Sequence, residues 1–161
     1  MGENSLTSSE KQTPSEKPKL KCGEVGTYAQ LKKKRAAPDF ERDHVPSAAA
    51  MFKAAMNDYP NLNANRRACV KRRLKEQALT IAIPKGVHRQ HSRTCGGKNT
   101  QKQIEDHADD LDDAAKGDTK DVQNKIDAAC ADAYKKAAEQ VCAQDHKGLI
   151  DKVVAGCAGA Q

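Results

Sequence analysis

An aspartate followed by a histidine, in the stretch Arg42-Asp43-His44-Val45-Pro46-Ser47, puts a hard oxygen ligand beside an imidazole. Phosphodiester hydrolysis uses both groups. A carboxylate such as Asp43 can hold a divalent cation, which stabilises charge on the phosphorus and on the leaving oxygen. An imidazole such as His44 titrates near neutrality and can take a proton from attacking water. Arg42 is placed to meet a phosphate oxygen. A solvated turn would carry the same dipeptide, so the pair alone does not decide.

A second group of reactive residues lies further on, in Ile83-Pro84-Lys85-Gly86-Val87-His88-Arg89-Gln90-His91-Ser92-Arg93-Thr94-Cys95-Gly96-Gly97-Lys98-Asn99. His88 and His91 are three apart, so one helical turn would present both imidazoles on one side, a geometry that suits a divalent metal. Arg89, Arg93 and Lys98 supply phosphate contacts, and Gly96-Gly97 allows close backbone approach. His88, His91 and Cys95 also offer a different arrangement, a soft zinc site. An ordinary surface would carry an HxxH as well.

These residues need elements to hold them. Asp39 to Pro46 reads as a short strand or extended segment ended by its proline. Ser47 caps a helix over Ala48–Asp58, and Asn65 caps a second over Arg66–Gln77. Ala78–Ile83 reads as a strand stopped by Pro84. Residues 85–99 form a loop with room for one short helix. From Thr100 onward Ile104, Ala108, Leu111 and Ala115 mark one helical face. Gly117 is expected to break it, and Asp118 or Thr119 to cap a helix reaching about Gln144. A short helix over Leu149–Ala155 ends the chain. Near the start, order is expected from Gly23, with a helical turn at Ala29–Arg35. Residues 1–21, rich in Ser, Lys, Glu, Thr and Pro, read as a disordered leader or linker, and 22–161 as one domain.

The chain has 161 residues, no Trp and only 3% aromatics, with a mean hydropathy of -0.84. Its core must therefore be small and aliphatic. Residues 101–161 hold 8 Lys or Arg against 13 Asp or Glu, whereas residues 1–100 hold 20 against 9. Such a split suggests a polyanion-binding part beside an acidic part, although two solvated surfaces would also satisfy it. The helix with Arg66, Arg67, Lys71, Arg72, Arg73 and Lys75 could track a nucleic-acid backbone or meet an acidic partner. The acidic run from Glu105 to Asp113 reads as a solvated helix face, and His107 and His146 as surface histidines.

The six cysteines form no CxxC pair, which argues against a zinc ribbon. The leader has no apolar stretch of signal type and no segment is fit to span a membrane. A reducing cytosol, with most cysteines as small core residues, is the simplest expectation.

Arg42-Asp43-His44-Val45-Pro46-Ser47-Ala48-Ala49-Ala50, followed by Ile81-Ala82-Ile83-Pro84 and His88-x-x-x-Ser92-x-Thr94-x-Gly96-Gly97, resembles the HNH/endonuclease VII toxin nucleases. The nearest subset is the GHH/AHH-type C-terminal domains of polymorphic bacterial toxins. Gly26-Thr27-Tyr28-Ala29-Gln30-Leu31 is similar to the segment that opens such domains after a PAAR-like delivery domain. The resemblance covers about residues 22–100. It implies an α+β, predominantly helical fold: a small ββα-metal core with inserted helices and a C-terminal helical region. It implies His44 as general base, with Asp43 and His88, and more weakly His91, as metal ligands. Asp stands before the base where the pattern has Gly-His or Ala-His, and no clear middle Asn is present.

The resemblance further implies cleavage of DNA by an antibacterial toxin, made in a bacterial cytoplasm, secreted by a type VI or related system into a target cell, and neutralised by a cognate immunity protein. Mg²⁺ suits carboxylate ligation, and Zn²⁺, Mn²⁺ or Ni²⁺ a set richer in imidazoles. A non-catalytic nucleic-acid-binding module and a charged adaptor are the rival classes.

Overall fold

The computed structural model describes residues 16–95 and 98–161. Residues 1–15 of the expected leader, and the Gly96-Gly97 pair, lie outside them. In chain order the elements are β1 (Val25–Thr27), α1 (Tyr28–Leu31), β2 (Phe40–His44), α2 (Ala48–Asp58), α3 (Ala64–Gln77), β3 (Leu79–Pro84), α4 (Lys85–His91), α5 (Gln101–Asp109), α6 (Leu111–Gln123), α7 (Ala128–Cys142) and α8 (His146–Gly156). The fold is α+β and mostly helical, with one small antiparallel sheet among the described residues.

Sheet order is β1-β3-β2, so the last strand made is the central one. β3 suits that place: it is a near-continuous apolar run, buried from Thr80 to Ile83. A strand buried on both faces needs apolar side chains on both. Ile81 and Ile83 face one way, into a core with Val45, Ala115, Val122, Tyr134 and Val141. Ala82 faces the other way, against Leu20 and Leu31. Each isoleucine contributes roughly 1.5–3 kcal/mol by burial. The pair β2–β3 with α2 and α3 inserted, followed directly by α4, has the ββα connectivity expected above.

A separate core joins α2, α3 and α8 through Met51, Ala55, Val70, Leu74, Ile150 and Val153. The helices start where side-chain oxygens satisfy free N–H groups. Ser47 accepts from the Ala50 amide at 3.1 Å to start α2. Thr27 and Gln30 form a reciprocal capping box at α1, as Thr100 and Gln103 do at α5.

Several expectations change. Asn63, not Asn65, caps α3. Gly117 does not end a helix but lies inside α6; one break falls at Asp110, whose side chain accepts from the Asp113 amide and caps α6, and another after Gln123, so the helix expected to reach Gln144 is divided between α6 and α7. Tertiary packing keeps a glycine helical here, against its weak intrinsic preference. Leu20 is buried and Lys19 pairs with Arg35, so the folded chain begins before Cys22. His146 is not a surface residue: it is 2% exposed and its Nδ1 lies 2.7 Å from Asp112 Oδ1.

Four cysteines are paired rather than free. Disulfides join Cys22 to Cys130 and Cys69 to Cys157, leaving Cys95 and Cys142 as thiols. The linear spacing could not show this, because each bridge spans 88 or more residues and depends on which helices meet. The bridges suit a chain with little apolar surface to bury.

Candidate active site

Strand register decides which reactive residues meet. Successive side chains on β2 alternate between faces, and cross-strand partners share a face. Asp43 pairs with Ile81 and Glu41 with Ile83, so both carboxylates lie on the face covered by α6 and α7. Arg42 pairs with Ala82 and His44 with Thr80, which puts them on the opposite face. Neighbours in sequence are therefore separated by the thickness of a strand.

On the first face Asp43 is fully buried. Its Oδ1 accepts from the Ser92 hydroxyl at 2.9 Å and from the Thr94 hydroxyl. His88, carried by α4, bridges the two carboxylates, with Nδ1 2.6 Å from Glu41 Oε2 and Nε2 3.3 Å from Asp43 Oδ1. Arg89 makes a forked contact with Glu41 at 2.7 and 2.8 Å. Burial disfavours a charged His88, but its hydrogen bonds and charge pairing with Asp43 and then Glu41 outweigh this and raise its pKa. Burial likewise opposes the Glu41 carboxylate, and hydrogen bonds from His88 and Arg89 overcome it and hold it below its usual range.

The residues on this face fit a divalent cation. Ligand atoms of Glu41, His88 and Cys95 lie within 4.8 Å of one another. Asp43 Oδ2 is buried with no hydrogen-bond partner, an expensive condition for a carboxylate oxygen. Carboxylate, imidazole and thiolate together make a donor set of mixed hardness. His91, the other imidazole of α4, is exposed and outside this group.

On the second face His44 stacks on Tyr28, with ring centroids 5.0 Å apart. Its Nε2 is 2.8 Å from the Lys75 carbonyl oxygen, which can only accept, so Nε2 carries the proton and Nδ1 keeps the free lone pair. Burial lowers the His44 pKa, against the raising effect of the Lys75 carbonyl. A neutral imidazole with a fixed tautomer has the form a general base requires. Lys32, Arg42 and Lys75 place cationic atoms 6.0, 5.9 and 5.6 Å from the Tyr28 ring centroid.

β2 is an edge strand, and a cleft of about 400 Å³ opens beside it. Tyr28 and Arg42 line it from one face, Glu41, His88 and Arg89 from the other.

The remaining expected phosphate contacts are dispersed. Arg93 is turned away, its guanidinium held by Asp118 and Asp121. Lys98 bonds the Arg89 carbonyl. On α3, Arg67 is tied to the carbonyls of Leu62 and Pro60, and Arg73 lies against Gly156 of α8. Arg66 is half-buried, and Arg72 is exposed. Sequence reasoning missed Glu41, Tyr28 and Lys32. Glu41 was findable, since two residues before Asp43 on a strand is the same face. Tyr28 carried no signal, because it reaches His44 only through the fold.

Over 97 residues, 60% of its length, the chain is 37% identical to Deoxyribonuclease CdiA of Dickeya dadantii (strain 3937). The aligned part is 3% of that much longer protein. No protein-family model matches the chain, and no solved structure matches it.

Proposed function

We propose that this chain is a metal-dependent endonuclease that hydrolyses DNA phosphodiester bonds. The observation that carries the reading is the cleft at the edge of β2, where Glu41, His88 and Arg89 meet Tyr28 and Arg42 across the strand. Likeness to a segment of a deoxyribonuclease supports DNA as the substrate.

Glu41, His88 and Cys95 would hold the cation, with the unpaired Asp43 Oδ2 beside the other ring nitrogen of His88 as a further donor, and the ion when bound supplies Lewis-acid stabilisation of phosphate charge. The Cys95 thiolate moves the preference from Mg²⁺ toward Zn²⁺. His44 Nδ1 accepts the proton of the attacking water, and the Lys75 carbonyl fixes the ring for that task. Arg42, Lys32 and Lys75 attract the backbone, with Arg72 and Lys71 on α3 extending the basic track. In this reading the protein acts as a secreted antibacterial effector. Its delivery domain is of PAAR type, and an immunity protein protects the producer.

Cleavage of plasmid by purified protein, with and without EDTA, tests the reading. Metal-dependent nicking that His44→Ala abolishes is the expected result. A folded protein that cuts nothing with any divalent metal would overturn it.

A further inference from the structure

We propose that Arg93 is a positioning residue, clamped by Asp118 and Asp121 across the bare backbone of Gly117, so that helix α6 sets the aim of the Asp43 carboxylate. The proposal rests on the nuclease reading above. It makes part of the acidic C-terminal region a working part of the site.

Ser92 and Thr94 flank Arg93 in sequence, and both hydroxyls approach Asp43 Oδ1. Their oxygens also lie 2.8 Å from each other. Two hydroxyl protons serve three contacts, so at least one always reaches Asp43. This hold leaves Oδ2 free. Yet residues 92–95 belong to no strand or helix, and something must fix them.

Arg93 is what fixes them. Its Nε and Nη2 lie 3.0 and 2.9 Å from Asp118 Oδ1, and its Nε lies 3.1 Å from Asp121 Oδ2. Asp118 is 2% exposed, so the anchor is inside the protein. α6 is itself fixed by Ala115 and Val122 in the core beneath the sheet. Burial pushes the Asp118 carboxyl up to about 7 against the pull of Arg93, so removing the guanidinium would leave a buried carboxylate without its partner.

Gly117 supplies an independent observation. A Cβ there would sit 2.5 Å from Arg93 Nη2. Glycine is a poor residue for a helix interior, and alanine is the best. The guanidinium occupies the space that any side chain at 117 would need.

The test uses the full chain with Gly117→Ala and Asp118→Asn. Cleavage is measured against Mn²⁺ concentration, DNA concentration and salt. Gly117→Ala should stay folded and melt at or below the wild-type temperature, because the gain of alanine in α6 is offset by the displaced guanidinium. Both variants should need about tenfold more metal for half-maximal cleavage, as a lost support of a metal ligand does. kcat should fall, while KM for DNA and the salt slope stay within about twofold. An Arg93 that instead touches phosphate would give a raised KM and a shallower salt slope in Arg93→Gln, with the metal requirement unchanged. That result, or an unchanged metal requirement in both α6 variants, overturns the proposal.

Amide exchange at Thr94 and Cys95 in metal-free protein separates this inference from the nuclease reading. Lost protection in Asp118→Asn supports the clamp even if wild type cuts no DNA, and retained protection overturns it even if wild type cuts well.

Discussion

The two faces of β2 carry two histidines in opposite electrostatic states. His88 lies between two carboxylates, and its pKa is raised despite burial. His44 lies against a tyrosine ring and a carbonyl, among cations, and its pKa is lowered by burial. The first is an imidazole whose protonated form two anions favour, and a metal ion bound there would take the place of that proton. The second is a neutral base with one nitrogen committed. The same strand makes both, because alternation sends Asp43 toward acidic α6 and His44 toward basic α3. This contrast is local to the strand, because α5 and α8, which also belong to the acidic half, pack on α2 and α3. The cleft beside this edge strand takes Glu41 and His88 from one side and Tyr28 and Arg42 from the other.

If the two faces have separate tasks, breaking each should give a different signature. The largest effect is expected for the pair Asp43→Ala and His44→Ala. Both should lower cleavage, His44→Ala by about 10²–10⁴-fold, the usual contribution of a general base. Titration calorimetry with Zn²⁺ should show metal binding lost in Asp43→Ala and kept in His44→Ala. Loss of binding in both variants would mean that the faces are not distinct.

The disulfides hold opposite faces and come next. Cys22–Cys130 ties the chain start to α7, while Cys69–Cys157 ties α3 to α8. Loops of this length correspond to about 4–5 kcal/mol each in the chain-entropy view. Paired Cys→Ser variants should therefore melt well below wild type in a thermal scan. A variant lacking both bridges with an unshifted midpoint would contradict the pairing.

Imidazole titration by NMR in metal-free protein should separate the histidines about their common starting value of 6.5, His88 above it and His44 below. The linked stabilities have opposite signs. The contribution of His88 is complete below the unfolded pKa of 6.5 and is lost as pH rises through its raised folded value. That of His44 is present above 6.5 and is lost as pH falls through its depressed folded value. Comparing pH–stability curves of wild type, His88→Gln and His44→Gln checks both signs, and a shared direction would remove the contrast.

The smallest effect belongs to α3. Arg72→Glu should weaken DNA binding and reduce the salt slope by about one. Arg67→Glu should change the slope less, because Arg67 already bonds two carbonyls of its own chain. Equal slopes for the two would take α3 out of the interface.

Much of the scaffold was legible from local chemistry. Ser47 caps α2 over Ala48–Asp58 as expected, and the run to Pro84 makes β3, because caps, prolines and β-branched residues act over a few positions. Gly117 misled, since its role is set by Arg93 and not by its neighbours in sequence. His91 shows the limit of spacing: it shares a helix with His88, but only His88 faces β2.

The amino-acid sequence by itself determined the inventory: an Asp-His pair on a strand, a later His-bearing helix, a basic half and an acidic half. Tertiary structure decided the assignments. It put Asp43 and His44 on opposite faces and exchanged His91 for Glu41 and Cys95 at the candidate metal group. It also turned Arg93 inward and joined four cysteines. Caps and strand alternation depend on residues a few positions apart, so a linear chain displays them. A metal group, an ion-pair clamp or a disulfide depends on which distant surfaces pack together, and only burial of the small shared cores fixes that.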